Sequence, residues 1–141
     1  MGLFDAFVQK KAKPRILVAD DDPNIRTLVV DLLSIEGYEI VEVQDGMEAL
    51  AKLKKEKFDL LITDINMPRL QGPELIKILR TSSEHKAQPI IVLSSEGAIP
   101  TLNEVFELGA LAFLPKPFQA HQLLSKVTAF FAQRPPSPPA A

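Results

Sequence analysis

The sequence predicts an α/β fold: five βα units making a parallel sheet in strand order 2-1-3-4-5, with helices on both faces. Three observations in the 141 residues predict it. Short runs of consecutive aliphatic residues, the mark of strands buried on both sides, alternate with stretches whose apolar residues recur every three or four positions. The connections between them are short, as in βα units packed around one sheet. A hydrophobic content of 46% with 24% charged residues supplies a core for one domain of this length, with too little chain for two.

The first strand is the run Ile16, Leu17, Val18, Ala19. Asp22 caps the helix that follows, with Pro23 at its first position. Ile25, Leu28, Val29, Leu32 and Leu33 fall on one face of that helix, and Gly37 stops it. A second strand is expected at 39–43 and a second helix at 46–56. The third strand spans 60–63, and Pro73 to Arg80 lie in the third helix. The fourth strand covers 89–93, and the fourth helix covers 99–108 with Gly109 beyond it. The fifth strand is placed at 111–114, and Leu123, Val127, Phe130 and Phe131 stripe the last helix. Right-handed crossovers between five such units fit the flavodoxin-like strand order, in which strands 1 and 3 lie side by side. Ligands of such sheets bind outside the carboxyl ends of the strands at that switch point.

Composition narrows the partners. A formal charge of -2 gives no bulk attraction to nucleic acid or to an anionic membrane. With no cysteine there is neither a disulfide framework nor a thiolate metal site. Every apolar run is too short for a membrane span. The N-terminal hydrophobic residues are interrupted by Asp5 and followed by Lys10 and Lys11, unlike a secretory signal, and Ala6 stands where a myristoylation signal wants Ser or Thr. A cytoplasmic protein is expected. Its parts are an amphipathic and basic extension at 1–13 (Leu3, Phe4, Phe7, Val8), a domain at 14–133 and a Pro-rich tail at 134–141.

Chemistry gathers at the carboxyl ends of the strands. Strand 1 runs into Asp20-Asp21-Asp22, and strand 3 into Asp64-Ile65-Asn66-Met67-Pro68. Strand 4 runs into Ser94-Ser95, and strand 5 into Lys116-Pro117-Phe118. Two ionised carboxylates about 5 Å apart repel by roughly 3 kcal/mol at an effective dielectric of about 20. Asp20, Asp21 and Asp64 together therefore call for a cation, and oxygen-only ligands favour Mg²⁺. Asp22 reads as a helix cap rather than a ligand.

Taken in order, these four segments resemble the receiver domain of two-component response regulators, and with no output domain attached they are most similar to single-domain regulators of the chemotaxis type. The resemblance spans about 14–131 and implies the following roles. Asp64 is the phosphoacceptor. Asp20, Asp21, Asp64 and the backbone carbonyl of Asn66 hold Mg²⁺. Ser94 and Lys116 bind the phosphoryl group, and the Lys116–Pro117 peptide bond is cis. Ser94 and Phe113 form the switch, remodelling a surface on helix 4, strand 5 and helix 5; the plain alternative for Phe113 is a core residue. Asn66 and Glu96 tune hydrolysis. The partners implied are a sensor histidine kinase or phosphotransfer protein and a downstream protein, with the chain a monomer or weak dimer and a signalling protein rather than an enzyme.

Two departures stand out: Ser94 where many members carry Thr, and Phe113 where chemotaxis regulators carry Tyr. A competing reading is a receiver that works as an interaction module without phosphate, but that reading usually goes with loss of Asp64, Lys116 or the acid pair. A haloacid-dehalogenase-like phosphatase would want an acid where Asn66 stands. A nucleotide or flavin protein would want a Gly-rich loop where Asp21-Asp22-Pro23 stands.

Overall fold

The computed structural model describes residues 13–95 and 99–133, with the side chains of 99–101 left out. In chain order the elements are β1 (Arg15–Ala19), α1 (Pro23–Ile35), β2 (Glu39–Val43), α2 (Gly46–Lys55), β3 (Leu60–Asp64), α3 (Gly72–Thr81), β4 (Ile90–Ser94), α4 (Ile99–Glu107), β5 (Ala112–Pro115) and α5 (Ala120–Gln133). All neighbouring strands pair in parallel, in the order β2-β1-β3-β4-β5. The expected alternation and strand order are both present. The N-terminal extension apart from Lys13, the Pro-rich tail and Glu96 lie outside the described residues.

Local sequence explains most boundaries. Asp22 caps α1 by accepting a hydrogen bond from the Asn24 amide at 2.9 Å, and Pro23 costs nothing at the first helical position because its missing N–H would be unpaired there. At the other end Gly37 takes a φ of 90°, which only a residue without Cβ adopts readily. This turn lets Tyr38 N–H donate to the Leu33 carbonyl at 3.3 Å and Gly37 N–H to that of Ser34 at 3.1 Å, satisfying two carbonyls the helix would leave open.

Alternation along the strands divides the core into two layers. Ile16, Val18, Leu60, Ile62, Ile91, Leu93 and Leu114 face α1 and α5, where Val29, Leu33, Leu123 and Val127 close the layer. Leu17, Ala19, Leu61, Ile90 and Val92 face the opposite side and pack under Ala49, Leu53, Leu75, Leu79 and Val105 of α2, α3 and α4. Truncating any of the fully buried leucines to alanine costs about 2–5 kcal/mol. The stripe of α1 is narrower than its periodicity suggests: Leu28 is 40% exposed, because Val29 and Leu33 alone reach the sheet fully.

The elements shift from their expected limits by one or two residues. The largest consequence is at β3 and β4, which extend to Asp64 and Ser94, so both polar residues are carried by the sheet itself.

Candidate functional site

In the register of β1 and β3, Ala19 lies beside Thr63, so the next residues on both strands, Asp20 and Asp64, emerge together at the sheet's carboxyl edge. Both are buried, at 0% and 4% exposure, whereas Asp21 is exposed. Oxygens of Asp20, Asp21 and Asp64 all lie within 4.8 Å of one another. Lys116 Nζ sits 2.8 Å from Asp20 Oδ2 and 3.0 Å from Asp64 Oδ2. Two carboxylates thus meet one ammonium, with a third carboxylate clustered beside them.

The remaining lone pairs are unevenly served. Asp64 Oδ1 accepts from the Ile65 amide at 2.7 Å and the Asn66 amide at 3.4 Å. Asp20 Oδ1 accepts from the Asp22 amide at 2.9 Å. Asp20 Oδ2, though fully buried, has only the Lys116 ammonium for a partner, 2.8 Å away and off the ideal hydrogen-bond direction. Burial is the main influence raising the Asp64 carboxyl above the usual carboxylate range; Asp20 pushes the same way, and Lys116 and the Asn66 amide oppose them only in part. Burial also pulls Lys116 down, but its contacts with Asp20 and Asp64 outweigh this and hold the ammonium above the usual lysine value.

A cation fits this arrangement on the chemistry of its donors. Every candidate ligand is an oxygen, and a buried carboxylate oxygen lacks an aligned partner. The cluster could hold a small hard ion, with no nitrogen or sulfur donor to favour zinc.

Several residues without chemistry of their own shape the rim. The loop at 65–71 returns to the sheet through Gly72, whose amide donates to the Ile65 carbonyl at 2.8 Å. A Cβ at Gly72 would collide with the Asp64 carbonyl oxygen, so glycine allows α3 to start directly against the acidic strand end. Arg26 Nη1 donates to the Asp20 carbonyl at 2.8 Å while its Nε pairs with Glu42 at 3.1 Å, pinning the Asp20 backbone between α1 and β2. Sequence reasoning missed Arg26 and Gly72. The Gly-Pro pair at 72–73 marks a helix start and was a usable signal; nothing local marks Arg26.

The other expected residues are placed as follows. Ser94 is buried at the end of β4, beside Pro115 in the β4–β5 register, and its carbonyl accepts from Lys116 N–H at 2.6 Å. The Lys116–Pro117 bond is cis. Asn66 is exposed, and its Nδ2 donates to Ser95 Oγ at 3.3 Å. Asp20, Asp21, Asp64 and Lys116 are brought together, with Asn66 and Ser94 beside them on the same edge. Phe113 stands apart. It is 36% exposed on the edge strand β5 and meets Phe106 of α4 edge to face at 5.6 Å, so it is not a core residue in this conformation. The two rings border an open groove continued by Leu111, His121, Gln122 and Lys126.

Comparison with known proteins agrees with this geometry. Residues 16–128 match the response regulator receiver domain family. The chain is 35% identical over 128 residues to the chemotaxis protein CheY-3 of Vibrio cholerae, a match covering 90% of this chain and 97% of that one. It is 39% identical over 117 residues to the CAI-1 autoinducer sensor kinase/phosphatase CqsS of the same species, covering 82% of this chain but spanning only 17% of that relative's length. The solved structure of the chemotaxis response regulator CheY4 of Vibrio cholerae superposes with a TM-score of 0.78 at 37% identity, covering 84% of this chain and 98% of the other. Among the described residues no helix is long and apolar enough to cross a membrane. The chain belongs to the response regulator receiver domains of two-component systems.

Proposed function

We propose that this chain is a single-domain response regulator, phosphorylated on Asp64 by a histidine kinase or phosphotransfer protein in a Mg²⁺-dependent reaction. The observation that carries the reading is the buried Asp64 carboxylate set between Asp20 and Lys116, with Asp21 clustered beside them.

Asp20, Asp21, Asp64 and the Asn66 backbone carbonyl would hold Mg²⁺. When bound, the ion supplies positive charge beside the phosphoryl oxygens and offsets repulsion among the carboxylates. The chain's own groups do the rest. A carboxylate oxygen of Asp64 bonds to phosphorus as the phosphorus–nitrogen bond of the donor phosphohistidine breaks, and the electron pair leaves with the imidazole. Lys116 holds its proton throughout, since its contacts with Asp20 and Asp64 raise its proton affinity, and it balances the incoming negative charge. The Ile65 and Asn66 amides orient the nucleophile. Ser94, at the end of the neighbouring strand, donates a hydrogen bond to the new phosphoryl oxygens.

The output follows from that shift. Movement of Ser94 towards the phosphoryl group makes room for Phe113 to leave Phe106 and turn inward, which remodels the α4–β5–α5 face offered to a downstream protein. Asn66 and Glu96 set the lifetime of the phosphate. The chain works in the cytoplasm as a monomer or weak dimer, without nucleic acid.

Incubation with Mg²⁺ and acetyl phosphate, followed by mass spectrometry, tests the reading. The wild type should gain one phosphoryl group and Asp64→Asn none. A gain that persists in the variant refutes the assignment, and partner recovery independent of phosphate supports an interaction module instead.

A further inference from the structure

The loop joining β3 to α3 contains a strained turn next to the acidic rim. Arg69 has a φ of 67°, in the left-handed region that residues with a Cβ enter rarely. Leu70 N–H donates to the Pro68 carbonyl at 2.7 Å, closing a three-residue turn around Arg69, a form uncommon because of its strain. Strain of this kind persists only where the surroundings hold it.

Here the first turn of α2 does so. Arg69 Nε lies 3.0 Å from Asp45 Oδ2 and Nη2 lies 3.2 Å from Oδ1, so the guanidinium grips the carboxylate at both oxygens. Asp45 is a firm partner, 6% exposed and already tied to α2, where Oδ1 accepts from the Glu48 amide at 2.8 Å. Burial pushes the Asp45 carboxyl up, yet the Glu48 amide and Arg69 together hold it below the usual range. Beside this pair the Leu70 carbonyl rests on Gly46, where any Cβ would collide with it. The loop is thus clamped to α2 at Arg69 and Leu70 and to its own start at Gly72. Between those points lies Asn66.

We propose that Asp45 and Arg69 are positioning residues for the acidic site, their ion pair holding the loop at 65–71 so that the Asn66 backbone stays at the rim formed by Asp20, Asp21 and Asp64. The proposal rests on reading that rim as the Mg²⁺ site. Without the pair, the turn at Arg69 relaxes and carries the Asn66 backbone with it. Cation binding weakens, while the chemistry at Asp64 is preserved once the ion is bound.

Calorimetric titration of Mg²⁺ into the full chain tests this, alongside the Mg²⁺ dependence of phosphorylation by acetyl phosphate. Asp45→Asn and Arg69→Ala should each raise the Mg²⁺ Kd about tenfold, the low end for groups that support metal ligands. The half-saturating Mg²⁺ concentration should rise in step, with the rate at saturation within twofold of wild type. Arg69→Gly keeps the turn without strain and should fall between wild type and Arg69→Ala. Arg69→Lys keeps one charge but not the two-point grip and should rescue in part. A merely structural role would lower the active fraction and the plateau without moving Kd, and thermal melts identify variants that are folded. An unchanged Kd in folded Asp45→Asn and Arg69→Ala, with the wild type binding Mg²⁺ normally, overturns the proposal alone. A wild type that takes up no Mg²⁺ overturns the reading of the rim, and the proposal with it.

Discussion

The two edges of the sheet handle buried charge in opposite ways. At the amino edge the two arginines Arg80 and Arg15 are well served. Arg80 donates to the carbonyls of Leu108 at 2.6 Å, Lys86 at 3.1 Å, Gln88 at 2.9 Å and Gly109 at 3.4 Å, tying α3 to the ends of the β4 and β5 approaches. Arg15 meets Glu56 at 2.6 Å and Glu39 at 3.3 Å, donates to the Lys57 carbonyl, and lies 4.7 Å above the Phe58 ring. His85 joins Ser82 to the Leu53 carbonyl across two helices. At the carboxyl edge, by contrast, Asp20 and Asp64 share Lys116 with Asp21 close beside them, and one buried oxygen lacks an aligned donor. Polar groups at the amino edge complete the fold; those at the carboxyl edge are left short of positive charge. An imbalance maintained inside a well-satisfied domain would let cation binding at this edge matter energetically.

The contrast can be broken most sharply at Asp64. Asp64→Asn should reduce phosphoryl uptake to background, while relieving repulsion and raising stability by about 1–2 kcal/mol at neutral pH without divalent ions. Mass spectrometry and urea denaturation of the same preparations check both halves. Lys116→Met attacks from the other side. It leaves Asp20 and Asp64 without their ammonium and should cost about 3–5 kcal/mol, part of which millimolar Mg²⁺ restores by binding the folded state. Denaturation with and without Mg²⁺ measures the difference.

Arg80→Met supplies the control at the amino edge. Four carbonyls lose a shared donor, so the expected cost is about 1–3 kcal/mol, with the Mg²⁺ Kd and the phosphorylation rate within twofold of wild type. The subtlest test is pH. Burial raises Asp64, so its ionised form is lost on acidification at a higher pH than for an ordinary carboxylate. Phosphorylation should fall correspondingly early on that side. The linkage sign is that of a raised group: its contribution to stability is fully present below the unfolded value and is lost as pH rises through the folded one. Asp64→Asn should therefore lose less stability than wild type across that interval.

Some features were legible because they are local or periodic. The short apolar runs at 16–19, 60–63 and 89–93 read as strands buried on both sides, and short connections between alternating elements leave few topologies. Asp22 and Pro23 announce a helix start in adjacent residues. The acidic strand ends could be read because parallel strands all deliver their last residues to one edge.

What escaped depends on residues far apart in the chain meeting. Arg26 reaches the Asp20 carbonyl, Arg69 reaches Asp45, and Gly46 and Gly72 make room for the backbone of a loop, none of which leaves a periodic trace. Phe113 shows the same division. Its place on β5 follows from the pattern, but whether the ring enters the core or lies against Phe106 depends on the space beside α4.

The amino-acid order by itself determined which segments are strands and helices and which strand ends carry Asp20, Asp64, Ser94 and Lys116, because short-range periodicity and the rules of parallel connections are enough for that. Only the tertiary structure decided how deeply those groups are buried, which carboxylate oxygen lacks an aligned donor and how the loop at 65–71 is clamped to α2. Burial and ion-pair geometry arise from elements distant in sequence packing against each other, and it is those distances that set the charge balance of the site.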